Sequence, residues 1–396
     1  MRRAVILLAL AVLTDVPTAR GQAKKPGAFT VEIGLGLDTL MPPNPELIEL
    51  WRGYLRDGPY DDHPTPHWTT AEQRRWPGGF DLTTPWCYGS REDFASSQAV
   101  ILDVAPATFG DTASYAIRTL FSYQDSTMAK PLPFAICRVY AIRDAGHWVL
   151  ANALGQLTRA WRHTQLGSIT FVYPSTHRFD QGRAQHSADF VDSVATAFGV
   201  HRPKPIDFYV ADSPETMFRL LGVDMLPNRT PGLAYTDHRL IFSGSALYGE
   251  WYPHELAHMA LDSLTKAERT PFALDEGLAM WLGGSRGKDF PALMRALAGA
   301  LKATPSKSLE SLLGSPSVSD TLAYPAAAAL LQMAYERGKM AQVRAFLGAR
   351  LAGEAPDTIL GMAQRTFHQS RESLTAMWRS KVLQYERASG VPRKEG

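Results

Sequence analysis

The stretch WYPHELAHMALD, positions 251–262, sets two histidines four residues apart, with a glutamate directly after the first. Pro253 suits the first turn of a helix, where its missing N–H costs nothing, so His254, Glu255 and His258 fall on one helix. Four residues make about 40° of rotation and one turn of rise, so both imidazoles can aim at a single point able to hold a metal ion. Glu255 is rotated about 100° from His254, too far round to join them but placed to reach a water on that ion. A catalytic metal needs a third protein ligand, and that need constrains the fold: a second element has to lie against this helix.

The sequence supplies one. After His258 a polar loop ending at Pro271 leads into a second helical run, FALDEGLAMWLGG. The eighteen positions from His258 to Glu276 give room for the first helix to end, the chain to reverse and the second to lie alongside. A carboxylate there completes a His-His-Glu set, with Asp275 as the alternative to Glu276. Gly277 permits close helix packing, and Ala279 keeps the contact thin.

The 396 residues suffice for two domains, each with its own core. At 45% apolar and 20% charged, the chain has the composition of a folded globular protein. The 41 basic and 39 acidic residues nearly cancel and form no long run of one sign, which argues against nucleic acid as a partner. At the N-terminus, MRRAVILLALAVLTDVPTARGQA runs from arginines through an apolar stretch to small residues, the order of a secretory signal cleaved near Ala23. The apolar stretch falls short of the roughly twenty residues that span a bilayer, so a secreted or periplasmic protein without stable membrane insertion is expected. Cys87 and Cys137, the only cysteines, form one disulfide after export or stay as buried thiols.

The pattern predicts an α+β chain. After the signal (1–23), residues 24–44 read as a leader arm. In an N-terminal α+β domain (45–160), a short helix from Pro45 to Tyr54 precedes an irregular stretch whose His63 and His67 read as packing or solvent-facing. Four β-rich runs between Gln98 and Leu154 then alternate as an antiparallel meander, a small curved sheet resembling cystatin-like or NTF2-like domains in pattern alone. Beyond it are expected a helix around Gln156–His163, an amphipathic helix through Ala184, Ala188, Phe190, Val191, Val194 and Phe198, and a strand in KPIDFYVADS. A helix capped by Ser213 and stopped by Gly222 follows, then a hairpin in GLAYTDHRLIFSG. No G-x-S-x-G elbow occurs and neither cysteine stands in a nucleophile context, so a serine or cysteine hydrolase is not expected.

HELAH followed by LDEGLAMWL resembles the gluzincin metallopeptidases, the group containing thermolysin and the membrane-alanyl-type aminopeptidases, and especially their bacterial exported peptidase MA-like members. The resemblance covers about residues 165–388. It implies a thermolysin-like zincin domain at 161–303, a helical C-terminal part at 304–396, and a peptide or protein substrate. It further implies one zinc ion held by His254, His258 and Glu276, with Glu255 as general base. An edge strand at Gly232–Tyr235 or Leu240–Ser243 would pair with an extended peptide. Tyr324, in DTLAYPAAAALLQMAYERG, would donate to the oxyanion, with plain core packing as its alternative. The chain departs from the family in two places. No GAMEN-type stretch precedes the motif, which shifts the expectation from aminopeptidase to endopeptidase. Met280 stands where thermolysin-like enzymes carry an aspartate, and Asp262 is the substitute able to orient an imidazole. The competing reading is a non-catalytic exported binding or scaffold protein that retains this shell. Glu255 speaks against it, because a structural site needs ligands and no base.

Overall fold

The computed structural model describes residues 29–387, apart from 60–64, 78, 88–96, 109, 111–112, 124–130, 201–203, 227–229, 266–269, 314–319 and 350–357. The expected secretory signal, His63 and the C-terminal tail lie outside the described residues. The elements begin with β1 (Val31–Ile33), α1 (Asn44–Asp57), α2 (Thr70–Arg75), α3 (Thr84–Cys87), β2 (Ser97–Pro106), β3 (Ser114–Tyr123), β4 (Leu132–Asp144), β5 (His147–Ala151) and α4 (Ala153–Leu157). Next come β6 (Arg162–Leu166), β7 (Ile169–Tyr173), α5 (Gln181–Phe198), β8 (Ile206–Val210), α6 (Pro214–Leu220), β9 (Val223–Met225), β10 (Gly232–Tyr235) and β11 (Leu240–Ser243). Among the described residues, seven helices follow the strands: α7 (Pro253–Leu261), α8 (Phe272–Gly283), α9 (Phe290–Ala303), α10 (Leu309–Leu313), α11 (Asp320–Leu347), α12 (Ile359–Phe367) and α13 (Arg371–Arg387).

Two compact units emerge, one of 1–163, 172–178 and 210–232, the other of 164–171, 179–209 and 233–396. Within 161–303, residues 161–163, 172–178 and 210–232 group with the N-terminal residues. In the first unit, β2 to β5 form the expected antiparallel meander, paired along its length. The supposed leader arm contributes β1, whose β-branched Val31 and Ile33 pair in parallel with Ala99 and Ile101 of β2. One face of α1 buries Leu47, Ile48, Trp51, Tyr54 and Leu55. Trp51 Nε1 donates to Thr119 Oγ1 at 2.8 Å, so the indole meets the sheet without an orphaned polar atom. From far along the chain, β9 returns to pair antiparallel with β4. Cys87 and Cys137 are disulfide-bonded and buried, tying α3 to β4.

The second sheet has the order β10-β11-β8-β7-β6. The helix expected around Gln156–His163 is replaced by α4 and β6. The Thr158 hydroxyl donates to the Leu154 carbonyl at 2.7 Å as α4 ends. Gly167, at φ 54°, then turns β6 back onto β7. α5 is capped by the Asp180 side chain and stopped by Gly199 in the left-handed conformation, and its buried stripe includes Ala184, Ala188, Val191, Val194 and Phe198, as the period predicts, while Phe190 is only half-buried and meets Trp251 edge-on at 5.3 Å. Ser213 caps α6 by accepting from Thr216 N at 3.1 Å. In the second unit α7 packs between α5 and α8, and α8 against α11. Among the described residues no helix is long and apolar enough to cross a membrane.

Candidate metal centre

Pro253 occupies the first turn of α7, and every residue from His254 to Leu261 is buried. Buried imidazoles and carboxylates are costly unless compensated, so what α8 brings decides whether this helix is tenable. Two glycines set the approach. A Cβ on Gly283 would lie 2.4 Å from the Pro253 carbonyl carbon and 2.5 Å from His254 N, and one on Gly277 would lie 2.8 Å from Ala327 Cβ and Ala328 N of α11. With hydrogen at both positions, α8 is held between α7 and α11.

This packing carries Glu276 to both histidines. One carboxylate oxygen is 3.3 Å from His254 Nε2 and the other 3.6 Å from His258 Nε2. Donor atoms of His254, His258 and Glu276 all lie within 4.8 Å of one another. Ligand bonds near 2 Å in a tetrahedral zinc site place donors about 3.3 Å apart, close to the two histidine–glutamate separations of 3.3 and 3.6 Å. The outer nitrogens are held as well. His254 Nδ1 donates to the Gly284 carbonyl at 2.8 Å, so Nε2 is the nitrogen that faces Glu276, donating to its carboxylate while the ring is charged and able to hold an ion once that proton is lost. His258 Nδ1 stands 3.4 Å from Asp275 Oδ2.

Asp275, the alternative ligand, therefore sits on the outer nitrogen of His258, and Glu276 alone reaches the inner ones. Asp275→Asn is expected to weaken zinc about tenfold, read by chelator competition; unchanged affinity would show that the carboxylate does not orient the ring. Asp262 does not take that part. Its carboxylate lies 3.8 Å from Arg239 Nη1 and 4.0 Å from Lys204 Nζ.

The electrostatics favour a cation. Glu255 and Glu276 are both buried, and no lysine or arginine is buried among the described residues. Burial lifts the Glu255 carboxyl above its ordinary range, against the pull of both histidines. Burial works against protonating His258, but Asp275, then Glu276 and Glu255, outweigh it and push its pKa to about 10. Burial also opposes ionising Glu276, yet the hydrogen bond with His254 and the charge of both imidazoles bring its pKa down. The carboxylates of Glu276 and Asp275 thus favour positive charge at the two imidazoles, a place a divalent ion can take from the protons.

Tyr324 is buried with Met280 and Ala323, against Phe272, Ala273 and Leu293. Its ring meets Phe272 edge-on at 5.7 Å. The edge of the second sheet beside β11 is β10, the first of the two strands expected there. Sequence reasoning missed Tyr248 and Tyr252, whose rings stack at 3.9 Å and 7° just ahead of α7. Both lie within the electrostatic reach of Glu255. The only signal was two tyrosines four apart in a loop leading into the motif.

No family model matches the chain, and no curated protein matches it. Among solved structures it is similar to a mutant M1 zinc metallopeptidase from Deinococcus radiodurans, at 14% identity over 71% of this chain and 63% of that one, with a TM-score of 0.34. The same mutant bound to a Tyr-Ser-Ala substrate gives 14%, 71%, 63% and 0.32. A two-domain M1 zinc metallopeptidase mutant bound to L-tryptophan gives 14%, 72%, 63% and 0.31. The chain spans 63% of the length of these structures. Likenesses this weak assign no family, and the functional reading stands on the site.

Proposed function

We propose that the chain is an exported zinc-dependent metallohydrolase that cleaves peptide bonds, with a thermolysin-like zincin unit and Glu255 as general base. The observation that carries this is the convergence of His254, His258 and Glu276 donors within 4.8 Å, with Glu255 buried on the same helix as the histidines. Bound there, zinc would lower the pKa of a water toward 7 and polarise a carbonyl. Glu255 accepts the proton of the attacking water and passes it to the leaving amine nitrogen. Gly284 O and Asp275 hold the outer ring nitrogens, so both imidazoles present Nε2 inward. As the edge of its sheet, β10 offers a backbone for an extended peptide. The absence of an acidic partner for a substrate amine in GLAY favours endopeptidase action. The Cys87–Cys137 disulfide suits the oxidising compartment reached by export.

The test is zinc analysis of the purified chain with hydrolysis of a random peptide library. Removing zinc with 1,10-phenanthroline is expected to reduce cleavage at least about a hundredfold, and added zinc to restore it. A chain that keeps zinc and cleaves nothing would establish the binding-protein reading instead.

A further inference from the structure

We propose that Arg239 is a positioning residue for an extended substrate: its guanidinium fixes the β10–β11 hairpin to the last turn of α7, so that a peptide laid along β10 stays in register with the metal centre. This deepens the metallohydrolase reading and rests on it. The backbone of Arg239 belongs to the sheet. Its N–H donates to the Thr236 carbonyl at 3.1 Å in the hairpin turn, and its carbonyl accepts from Asp207 N of β8 at 2.9 Å. Its side chain leaves the sheet. Nη1 donates to the Met259 carbonyl at 2.9 Å and Nη2 to the Lys204 carbonyl at 2.9 Å, with Nε 3.4 Å from the Pro205 carbonyl. Met259 directly follows the candidate ligand His258. One side chain therefore joins the hairpin, the entry to β8 and the helix that carries both histidines, all within the second unit.

Two features mark the contact as built. Arg239 holds φ 61°, the left-handed region that glycine occupies without strain. A non-glycine residue is kept there against that cost, and what it adds is the side chain. That side chain is 16% exposed, with Asp262 Oδ2 3.8 Å away, and its charge faces the carbonyl end of α7, where the helix dipole favours a cation. The carbonyls of Met259 and Lys204 come from different segments and take separate nitrogens, which a planar fork supplies and a single ammonium does not.

The consequence lies in how α7 is tied down. It packs between α5 and α8. At its N-terminal end the chain links it to β11 through residues 244–252, a loop that Arg183 of α5 holds by the Leu247 and Tyr248 carbonyls at 2.6 and 2.5 Å. At its C-terminal end Arg239 ties it to the hairpin turn. Without that tie the hairpin shifts relative to the histidines, and a displacement of about 1 Å at the reacting carbonyl is enough to cost about a hundredfold. A ligand too short to reach β10 does not feel the shift.

The experiment uses the full chain with Arg239→Gly, which suits the backbone and removes the guanidinium, and Arg239→Lys, which keeps the charge beside Asp262. Zinc-loaded protein is titrated calorimetrically with acetohydroxamate, which engages the metal alone, and with a hexapeptide hydroxamate long enough to run along β10. The Tm of the zinc-free chain and kcat/KM on a peptide cleaved by the wild type are also read. Arg239→Gly is expected to weaken the hexapeptide hydroxamate and lower kcat/KM by about thirtyfold each, with acetohydroxamate and zinc affinity within about threefold. Its zinc-free Tm should stay within about 3 °C, because relief at φ 61° offsets part of the lost bonding. Arg239→Lys is expected to cost the hexapeptide hydroxamate about tenfold, and it decides alone should Arg239→Gly fail to fold. Equal losses on the two hydroxamates, loss on neither, or full affinity in Arg239→Lys overturns the proposal. Should the wild type cleave no peptide, the peptidase reading falls while the two hydroxamates still decide Arg239: a wild type that binds them alike, or binds neither, overturns it.

Discussion

Glu255→Gln is expected to leave about one zinc per chain and to lower kcat about a thousandfold. The two halves of this expectation come from different features. Glu255 is not among the three residues whose donor atoms converge, so an amide at its position leaves the ligand set whole. Glu255 is 6% exposed, and no other carboxylate lies next to the histidines on their own helix, so no ready substitute exists for the proton it takes. Glutamine matches its shape, and packing on α7 should hold. Loss of one buried negative charge weakens zinc to a lesser degree, within about tenfold, because that charge acts at a distance and makes no bond to the ion. Zinc is read by elemental analysis after gel filtration, and turnover on a peptide cleaved by the wild type. Glu276→Ala is the contrast: it deletes a ligand and is expected to lose zinc and activity together. More than a tenth of wild-type turnover in Glu255→Gln would remove Glu255 from its role. Zinc retained after gel filtration of Glu276→Ala would remove Glu276 from the ligand set.

The parts of the site legible in the sequence were those fixed by helical phase. His254 and His258 had to share a face, and Glu276 had room to meet them after one reversal. Helical phase could not choose between Asp275 and Glu276, because neighbouring helix residues differ by 100° and only the seating of α8 on α7 says which one faces the inner nitrogens; the family resemblance alone pointed to Glu276. That seating depends on Gly283, seven residues further along. Asp262 reads as a partner for an imidazole until Arg239, at φ 61°, turns its side chain toward the end of α7; it donates to the Met259 carbonyl at 2.9 Å. Among the strands, alternation announced β2 to β5 and the hairpin β10–β11. It could not announce β9, which has three residues and owes its existence to β4. The same limit hid β6, a polar segment that becomes a strand because Gly167 folds it onto β7. Tyr248 and Tyr252 lie outside any periodic element, so their stacking is set by the contacts that hold their loop to α5.

Gly283→Ala is the second large effect, and its sign is decided by two opposing magnitudes. Gly283 lies within α8, and its φ is not in the left-handed region, so on an open helix alanine would gain up to about 1 kcal/mol. Here the added methyl carbon meets Pro253 and His254 backbone atoms at 2.4–2.5 Å, and no side-chain rotation relieves backbone against backbone. Separating the helices opens a buried contact and costs up to about 3 kcal/mol or more, so the net is a loss of about 2 kcal/mol and roughly 5 °C in Tm. Gly299 is the matched control: it lies inside α9 with nothing within 4 Å of its would-be Cβ, so Gly299→Ala should hold or raise Tm. Zinc gives a reading that a loss of packing elsewhere would not. The displaced residue precedes Gly284, whose carbonyl fixes His254 Nδ1 at 2.8 Å, so pushing α8 away also frees the imidazole. Affinity for zinc should fall by about ten- to a hundredfold in Gly283→Ala and stay unchanged in Gly299→Ala. A Gly283→Ala chain as stable as the wild type, with undiminished zinc affinity, would mean that α8 does not approach α7 at this point, and the route by which Glu276 reaches both histidines would be lost with it.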